Sequence, residues 1–358
     1  MRTIKLGHFT LSSESPPVFL AEIGGFFNTD FELARSMINR IIDAGRTVPQ
    51  QPLILKTEIM YDPEICLPGD TYETYAAKDG RVQRENYRSL IERKVFPLVH
   101  YSGLFQICRE AKVPFIVSIY DNDGVDFAVD EGVAAIKIAS SNIVHIPLIR
   151  HAARKGLPIL IDTGRASIGE VYRAITVARE AGCEDIVIEH SPDGHPALPR
   201  AHNLRILQTY QQAFDLPVGL SDHHVGEEML YMAIALGAFI VEKGVHVEPE
   251  ALDIDISHAM GLEQLPDVLL KVYNCWQALG KVARDPNQKI EGTIGTSQRQ
   301  GLVAKRPLVT GDSVSLDTIR FAFPCKGIPV EHWDLVNGWK LRKEISAGEP
   351  VQWEDVCK

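Results

Sequence analysis

The sequence has no basic block, no long apolar run and few cysteines. Its 358 residues carry 37 Lys and Arg against 47 Asp and Glu, a net charge of −10. Without clustered cations, tight binding to a nucleic-acid backbone or an anionic bilayer is not expected. The longest apolar stretch, residues 229–241, is 13 residues, short of the ~20 that cross a bilayer as a helix. The opening MRTIKLGHFTLSSESPP has no continuous hydrophobic region, so no signal peptide is read there and a cytoplasmic protein is expected. Six scattered cysteines without a CxxC argue against a disulfide framework or a zinc cluster and for a reducing compartment. Apolar residues at 45% and charged residues at 23% are the balance of a folded protein.

Short apolar runs alternate with segments of helical period from residue 18 to about residue 280. The runs are VFLAEI (18–23), LILK (53–56), FIVSI (115–119), AAIKIA (134–139), PILIDT (158–163), DIVIEH (185–190), PVGLSD (217–222) and AFIVEK (238–243). They lack polar alternation, as strands of a parallel sheet covered on both faces do. Between them, Leu33, Met37, Ile38, Ile41 and Ile42 keep helical spacing after Asp30, and Ser167-x-x-Glu170 reads as a capping box. Leu262, Leu265, Leu269, Val272, Trp276 and Leu279 mark a last helix. Eight strands each leading to a helix predict a (β/α)8 TIM barrel, with a doubly wound sheet as the competitor. No GxGxxG follows the first strand, which lowers a dinucleotide-binding version. Residues 58–84 lack periodicity and read as a long loop at the mouth.

The pattern changes after Gly280. The expected division is a barrel over residues 1–282, a polar linker over 283–300 and a small β-rich domain over 301–358. The last carries a weak repeat, in which Leu308 matches Ile345, Gly311 matches Gly348, Val314 matches Val351 and Ile319 matches Val356. At under about 60 residues its core is small, so it is expected to lean on a partner surface.

The expected strand ends are polar: Glu22; Lys56 and Glu58; Ser118, Tyr120 and Asp121; Lys137 and Ser140; Asp162; Glu189 and His190; Ser221, Asp222 and His223; Glu242, Lys243 and His246. In a TIM barrel these ends build the active site. A single such charge is as readily a structural ion pair, but charges on nearly every strand end are costly unless they meet one another, a ligand or a metal. Two lysines near serine hydroxyls suit a phosphate or carboxylate; their plain alternative is Lys–Glu pairing. His223 and His246 could share a divalent metal, and ordinary hydrogen-bonded histidines are the equal alternative.

These motifs resemble the N-acetylneuraminate (sialic acid) synthases and related phosphoenolpyruvate-condensing nonulosonate synthases. The matches run in order: Ala21-Glu22-Ile23-Gly24 with Asn28; Lys56; Lys137-Ile138-Ala139-Ser140; Thr163-Gly164; His190 with Pro196 and Asn203-Leu204; Gly219-Leu220-Ser221-Asp222-His223; Glu242-Lys243; and His258-Ala259. The tail resembles the family's antifreeze-like (SAF) domain. The resemblance implies condensation of phosphoenolpyruvate with a sugar aldehyde and water, with C–O cleavage, to a 3-deoxy-2-keto acid and phosphate, assisted by Mn2+ or Mg2+. It implies Glu22, Lys56 and Lys137 as catalytic groups. Lys56, Ser118, Lys137, Ser140 and Ser221 would hold phosphoenolpyruvate. Glu58, Asp193, His195, Glu242 and Ser257 would face the sugar, and His223 would hold the metal; His246 as the second ligand is a candidate from strand alternation in this sequence, not from the resemblance. A homodimer, each tail capping the other barrel, is also implied.

The chain departs from the family pattern. The family's second metal ligand, directly after Glu-Lys on strand 8, is Gly244 here; His246 follows two residues later, on the same strand face. The family's Asn and Tyr before Pro are Asp193 and His195, its Gln after the strand 2 Lys is Glu58, and its acid before His258-Ala259 is Ser257. The tail Arg that reaches a partner's site is Phe323. Most changes fall on the acceptor side, so an acceptor other than N-acetylmannosamine is expected. The rivals are a class I aldolase or lyase with Lys137 as Schiff base, and a non-catalytic sugar-binding paralogue.

Overall fold

The computed structural model describes residues 3–251, 253–281 and 299–358. Most of the expected linker lies outside them. The chain divides into two compact units, Met1–Lys281 and Val282–Lys358.

The first unit is a closed parallel barrel. Its strands are β1 (Val18–Glu22), β2 (Leu53–Glu58), β3 (Phe115–Ile119), β4 (Ala135–Ile138), β5 (Ile159–Asp162), β6 (Ile186–His190), β7 (Val218–Asp222) and β8 (Ile240–His246). Each pairs in parallel with the next, and β8 pairs with β1 to close the ring. The outer helices are α1 (Phe31–Arg46), α2 (Leu98–Ala111), α3 (Asn122–Asp130), α4 (Ile146–Ala153), α5 (Ile168–Glu180), α6 (Ile206–Phe214), α7 (Glu228–Ala235) and α8 (Leu265–Leu279). Asp30 caps α1 through its carboxylate, and the Ser167–Glu170 capping box starts α5.

Strand alternation sorts the side chains. Phe19, Leu55, Val117, Ile136, Ile161, Ile188 and Leu220 face outward and join the helices in the main core. Val18, Leu20, Ile54, Ile116, Ala135, Leu160, Val187 and Ile240 face inward and fill the lower barrel. An antiparallel hairpin, Ile4–Leu6 with Phe9–Leu11, joins this inner core through Ile4, Leu6 and Leu11. One step further along each strand, two residues on, the inward face turns polar: Glu22, Lys56, Ser118, Lys137, Asp162, Glu189 and Glu242. Both faces of the strands are covered, which is why the runs showed no polar alternation.

Residues 58–84 are more ordered than the expected loop. They contain one strand and the start of the next of an antiparallel hairpin, Tyr72–Ala76 with Val82–Asn86, ahead of a short helix, Tyr87–Glu92. The turn is made at Asp79-Gly80, with Gly80 at a φ of +83°.

The second unit has its own small core, including Leu302, Leu308, Val314, Ile345 and Val351. The repeat is a backbone symmetry. Leu308 and Ile345 exchange hydrogen bonds of 2.9 and 3.0 Å. The Gly311 N–H donates to the Leu341 carbonyl at 2.8 Å, and the matching Gly348 N–H donates to the Ala304 carbonyl at 2.9 Å. The Lys305 and Arg342 amides, also matched, donate to the Thr318 and Asp355 carbonyls at 2.8 Å each.

Because Leu308 and Ile345 occupy equivalent buried places, Leu308→Ala and Ile345→Ala should each destabilise this unit by about 2–5 kcal/mol. Loss of hydrogen-exchange protection at the Leu302 and Val351 amides would report it. No loss in either variant would contradict the symmetry as a packing statement.

Candidate active site

The polar level of the barrel opens into a cavity of about 590 Å³ at the C-terminal strand ends. The structure brings Glu22, Lys56, Glu58, Ser118, Lys137, Ser140, His195, Ser221, His223 and Glu242 to its walls.

Lys137 is at the centre. Its ammonium contacts Glu242 at 2.8 Å, Asp162 and Glu189 at 3.1 Å each, and the Ser221 hydroxyl at 3.4 Å. Burial alone would lower its pKa, but Glu189, Glu242 and Asp162 hold it well above the ordinary lysine value. A lysine so held stays protonated and is a poor nucleophile, which works against the Schiff-base alternative. Lys56, register partner of Glu22, contacts that carboxylate and lies 3.4 Å from Glu242. Glu22 also accepts the Gly24 N–H at 2.7 Å. Glu242, expected to face a sugar, is instead shared by both lysines and accepts the Ser221 hydroxyl at 3.0 Å.

A second group lies toward the segment before α2. Lys94 lies 3.3 Å from Glu58 and 3.0 Å from Asp253. The Tyr120 hydroxyl donates to Glu58 at 3.0 Å. Burial would raise the Glu58 pKa, but Lys94 and Lys56 bring it below its usual value. Thus Lys56, Lys94 and Lys137 are already matched by Glu22, Glu58, Asp162, Glu189, Glu242 and Asp253. The cavity is acidic on balance, unlike the free anion site that two lysines suggested.

Three histidines form a third group. The His223 ring is 4.4 Å from that of His195 and 4.6 Å from that of His258. Their ligand atoms lie within 4.8 Å of one another. Burial and His195 push the His223 pKa down to about 4, so its imidazole is neutral at physiological pH. Nδ1 of His223 and Nδ1 of His258 are buried without a hydrogen-bond partner among the described residues. Neutral, converging, unpaired imidazole nitrogens fit a divalent cation.

Three expected site residues fall elsewhere. His246 is not in the histidine group and does not line the cavity; the charges acting on it are Lys78 and Glu263. Alternation does put it on the face of Glu242 and Gly244, but Gly244 is the last β8 residue paired with β1. His246 is carried ~6.6 Å further, where it pairs with Gly261. Asp193 is exposed and lies 2.6 Å from Arg165, outside the cavity wall. Ser257 is buried but does not line the cavity either. Sequence reasoning undervalued Lys94, Tyr120, Asp255 and His258. Tyr120 was legible at the end of β3 and His258 in the His258-Ala259 match, whereas Lys94 had no signal and Asp255 only the acid-rich Asp253-x-Asp255.

A (β/α)8 barrel with a lysine–carboxylate ring and a histidine cluster at its C-terminal mouth defines a TIM-barrel enzyme. The NeuB family model matches residues 60–284 and the SAF domain model matches residues 299–356; the chain belongs to the NeuB family, with a SAF domain at its C-terminal end. It is 26% identical to an N,N'-diacetyllegionaminic acid synthase of Legionella pneumophila, over 94% of both chains. It is 25% identical to an N-acetylneuraminate-9-phosphate synthase of Mus musculus, over 97% of this chain and 94% of the relative. Among solved structures, an N-acetylneuraminic acid synthetase of Leptospira borgpetersenii has the same fold, with a TM-score of 0.69 and 23% identity, covering 80% of this chain and 93% of that one.

Two outcomes follow from the lysine–carboxylate ring. Lys137→Met leaves Glu189, Asp162 and part of Glu242 uncompensated in the interior, so thermal or urea unfolding should show a loss of about 3–5 kcal/mol; unchanged stability would mean the ring does not depend on Lys137. Burial raises the Glu189 pKa from 4.5 to about 7. A carboxyl raised on folding stabilises fully below its unfolded value, and that stabilisation is lost as pH rises through the folded value. Between pH 4.5 and 7 the wild type should therefore lose this contribution, and Glu189→Gln should flatten that part of the Tm–pH curve. An identical curve in the variant would show that Glu189 does not titrate there.

Proposed function

We propose that this chain condenses phosphoenolpyruvate with a sugar aldehyde and water, giving a 3-deoxy-2-keto acid and phosphate. The observation that carries the reading is the inward ring of Lys56, Lys137, Ser118 and Ser221, with Ser140 beside it, around one cavity wide enough for two small substrates. Both relatives described above are named for sugar-acid products.

In this reading the phosphate and carboxylate of phosphoenolpyruvate take over donors now held by Glu22 and Glu242. Lys56 and Lys137 neutralise the anion, and the serine hydroxyls orient it. Carbon 3 attacks the aldehyde carbon, water adds at carbon 2, and the C–O bond to phosphate breaks. Glu22, beside Lys56, stabilises positive character at carbon 2 and handles the proton of the attacking water. A divalent ion, Mn2+ or Mg2+ by the family resemblance, would supply a Lewis acid for the aldehyde oxygen, with His223 as a ligand. The acceptor lies toward Glu58, Tyr120, Lys94 and Asp255. On that wall the carboxylates of Glu58 and Asp255 would accept N–H and O–H donors of a sugar in exchange for their present partners Tyr120, Lys94 and His195. Glu58 and His195 stand where the family pattern has Gln and Tyr, so the preferred acceptor differs from N-acetylmannosamine; a modified 2,4-diamino sugar suits the donors required. The reading includes a cytoplasmic homodimer in which the tail serves the partner's barrel. Phe323, at the family's Arg position, is 62% exposed.

Phosphate release from phosphoenolpyruvate across an aldose panel, with divalent ion, tests this. Release should depend on acceptor, and 18O in the bridging oxygen should leave with phosphate. N-acetylmannosamine should be poor, because sites built for particular donors reject analogues by up to ~10⁴-fold. A kcat/KM for it of ~10⁴ M⁻¹s⁻¹ or more would sink the acceptor assignment. Sugar binding without phosphate release would favour the non-catalytic paralogue, and borohydride trapping at Lys137 the aldolase.

A further inference from the structure

We propose that His195, His223 and His258 together form a three-imidazole seat that selects Co2+ or Zn2+ over Mg2+, assembled from loops in place of a second ligand on β8. The seat deepens the reading above, in which an ion activates the acceptor, but it stands on separate observations.

The strand position is tight. A Cβ added at Gly244 would lie 3.0 Å from the Ala259 Cβ and 3.2 Å from Phe26 Cε2. Phe26 is fully buried, so a longer side chain from that point of β8 meets a packed ring. His246 is out of reach, beyond the last β8–β1 pair. The imidazoles come instead from three places: His223 directly after β7, His195 from the loop after β6, and His258 from the loop after β8. Two nitrogens bound to one ion at ~2.0–2.1 Å each can be at most ~4.2 Å apart. The 4.8 Å spread of the three ligand atoms therefore closes with a shift of under ~1.5 Å, within the reach of ring rotations on loops.

The nitrogens are ready for such a partner. The unpaired Nδ1 atoms of His223 and His258 are buried at a free-energy cost that an ion would remove. His195 Nδ1 lies 2.7 Å from Asp255, a carboxylate near enough to steady the ring as its ion-pair partner. Donor chemistry sets the selectivity. Imidazole suits Zn2+ and the later transition ions, whereas Mg2+ prefers carboxylate and water oxygens.

Binding can be read without turnover. The full chain, stripped with a chelator, is titrated with Co2+ and followed by its visible d–d absorption. One Co2+ per chain should bind, Zn2+ should bleach the bands, and Mg2+ in large excess should leave them. His195→Gln and His258→Gln should each weaken Co2+ by ~10-fold or more, while His246→Gln should leave it unchanged. X-ray absorption on the Co2+-loaded wild type needs no variant and should count three imidazoles. Absent saturable binding, two or fewer imidazoles, binding indifferent to His195 and His258, binding lost with His246, or displacement by equimolar Mg2+ would each overturn the seat. Intact spectra with no phosphate release would sink the synthase reading and spare the seat; acceptor-dependent release without the spectra would do the reverse.

Discussion

The mouth of the barrel depends on one ammonium group being surrounded by carboxylates. Lys137, inward on β4, contacts carboxylates carried by β5, β6 and β8. Four strands that meet only through neighbouring backbones are thereby tied across the lumen. The arrangement is possible because each strand turns from apolar to polar at the same height, above a floor that the N-terminal hairpin helps to fill. Below that height the barrel is ordinary packed core. Above it, charges must be matched or be used.

That matching alters what the cavity can accept. A free pair of lysines would bind any phosphate. Here an anion must exchange with Glu22 and Glu242, so carboxylates already present set the cost of entry. Selectivity then rests on how well an incoming group reproduces the geometry that those carboxylates give up. The Lys94–Glu58–Tyr120 group does the same for neutral donors on the other wall.

Much of this was legible in the sequence. The strands were, because a parallel barrel covers both faces and leaves short apolar runs with a polar last residue. The lysines and Ser221 were found because strand ends point at the mouth. The repeat in the tail proved to be a true backbone symmetry. What stayed hidden is non-local. Three-residue strands such as Ile4–Leu6 carry too little pattern to register. Lys94 and Asp255 come from connections whose path no periodicity describes. His246 obeyed the alternation rule and was misplaced all the same, because alternation fixes a face and not a height along the barrel. Asp193 was carried over from a motif, and it lies at the surface, where it pairs with Arg165.

The two halves of the tail unit share a hydrogen-bond skeleton while differing at most side chains. Matched amides reach matched carbonyls across an approximate two-fold axis, from Gly311 and Gly348 to Lys305 and Arg342. Because both halves lie in one chain, a change in one half is not repeated in the other. One half can therefore alter its surface while the other preserves the register: Leu316 and Trp353, both exposed, are unlike residues at matched positions.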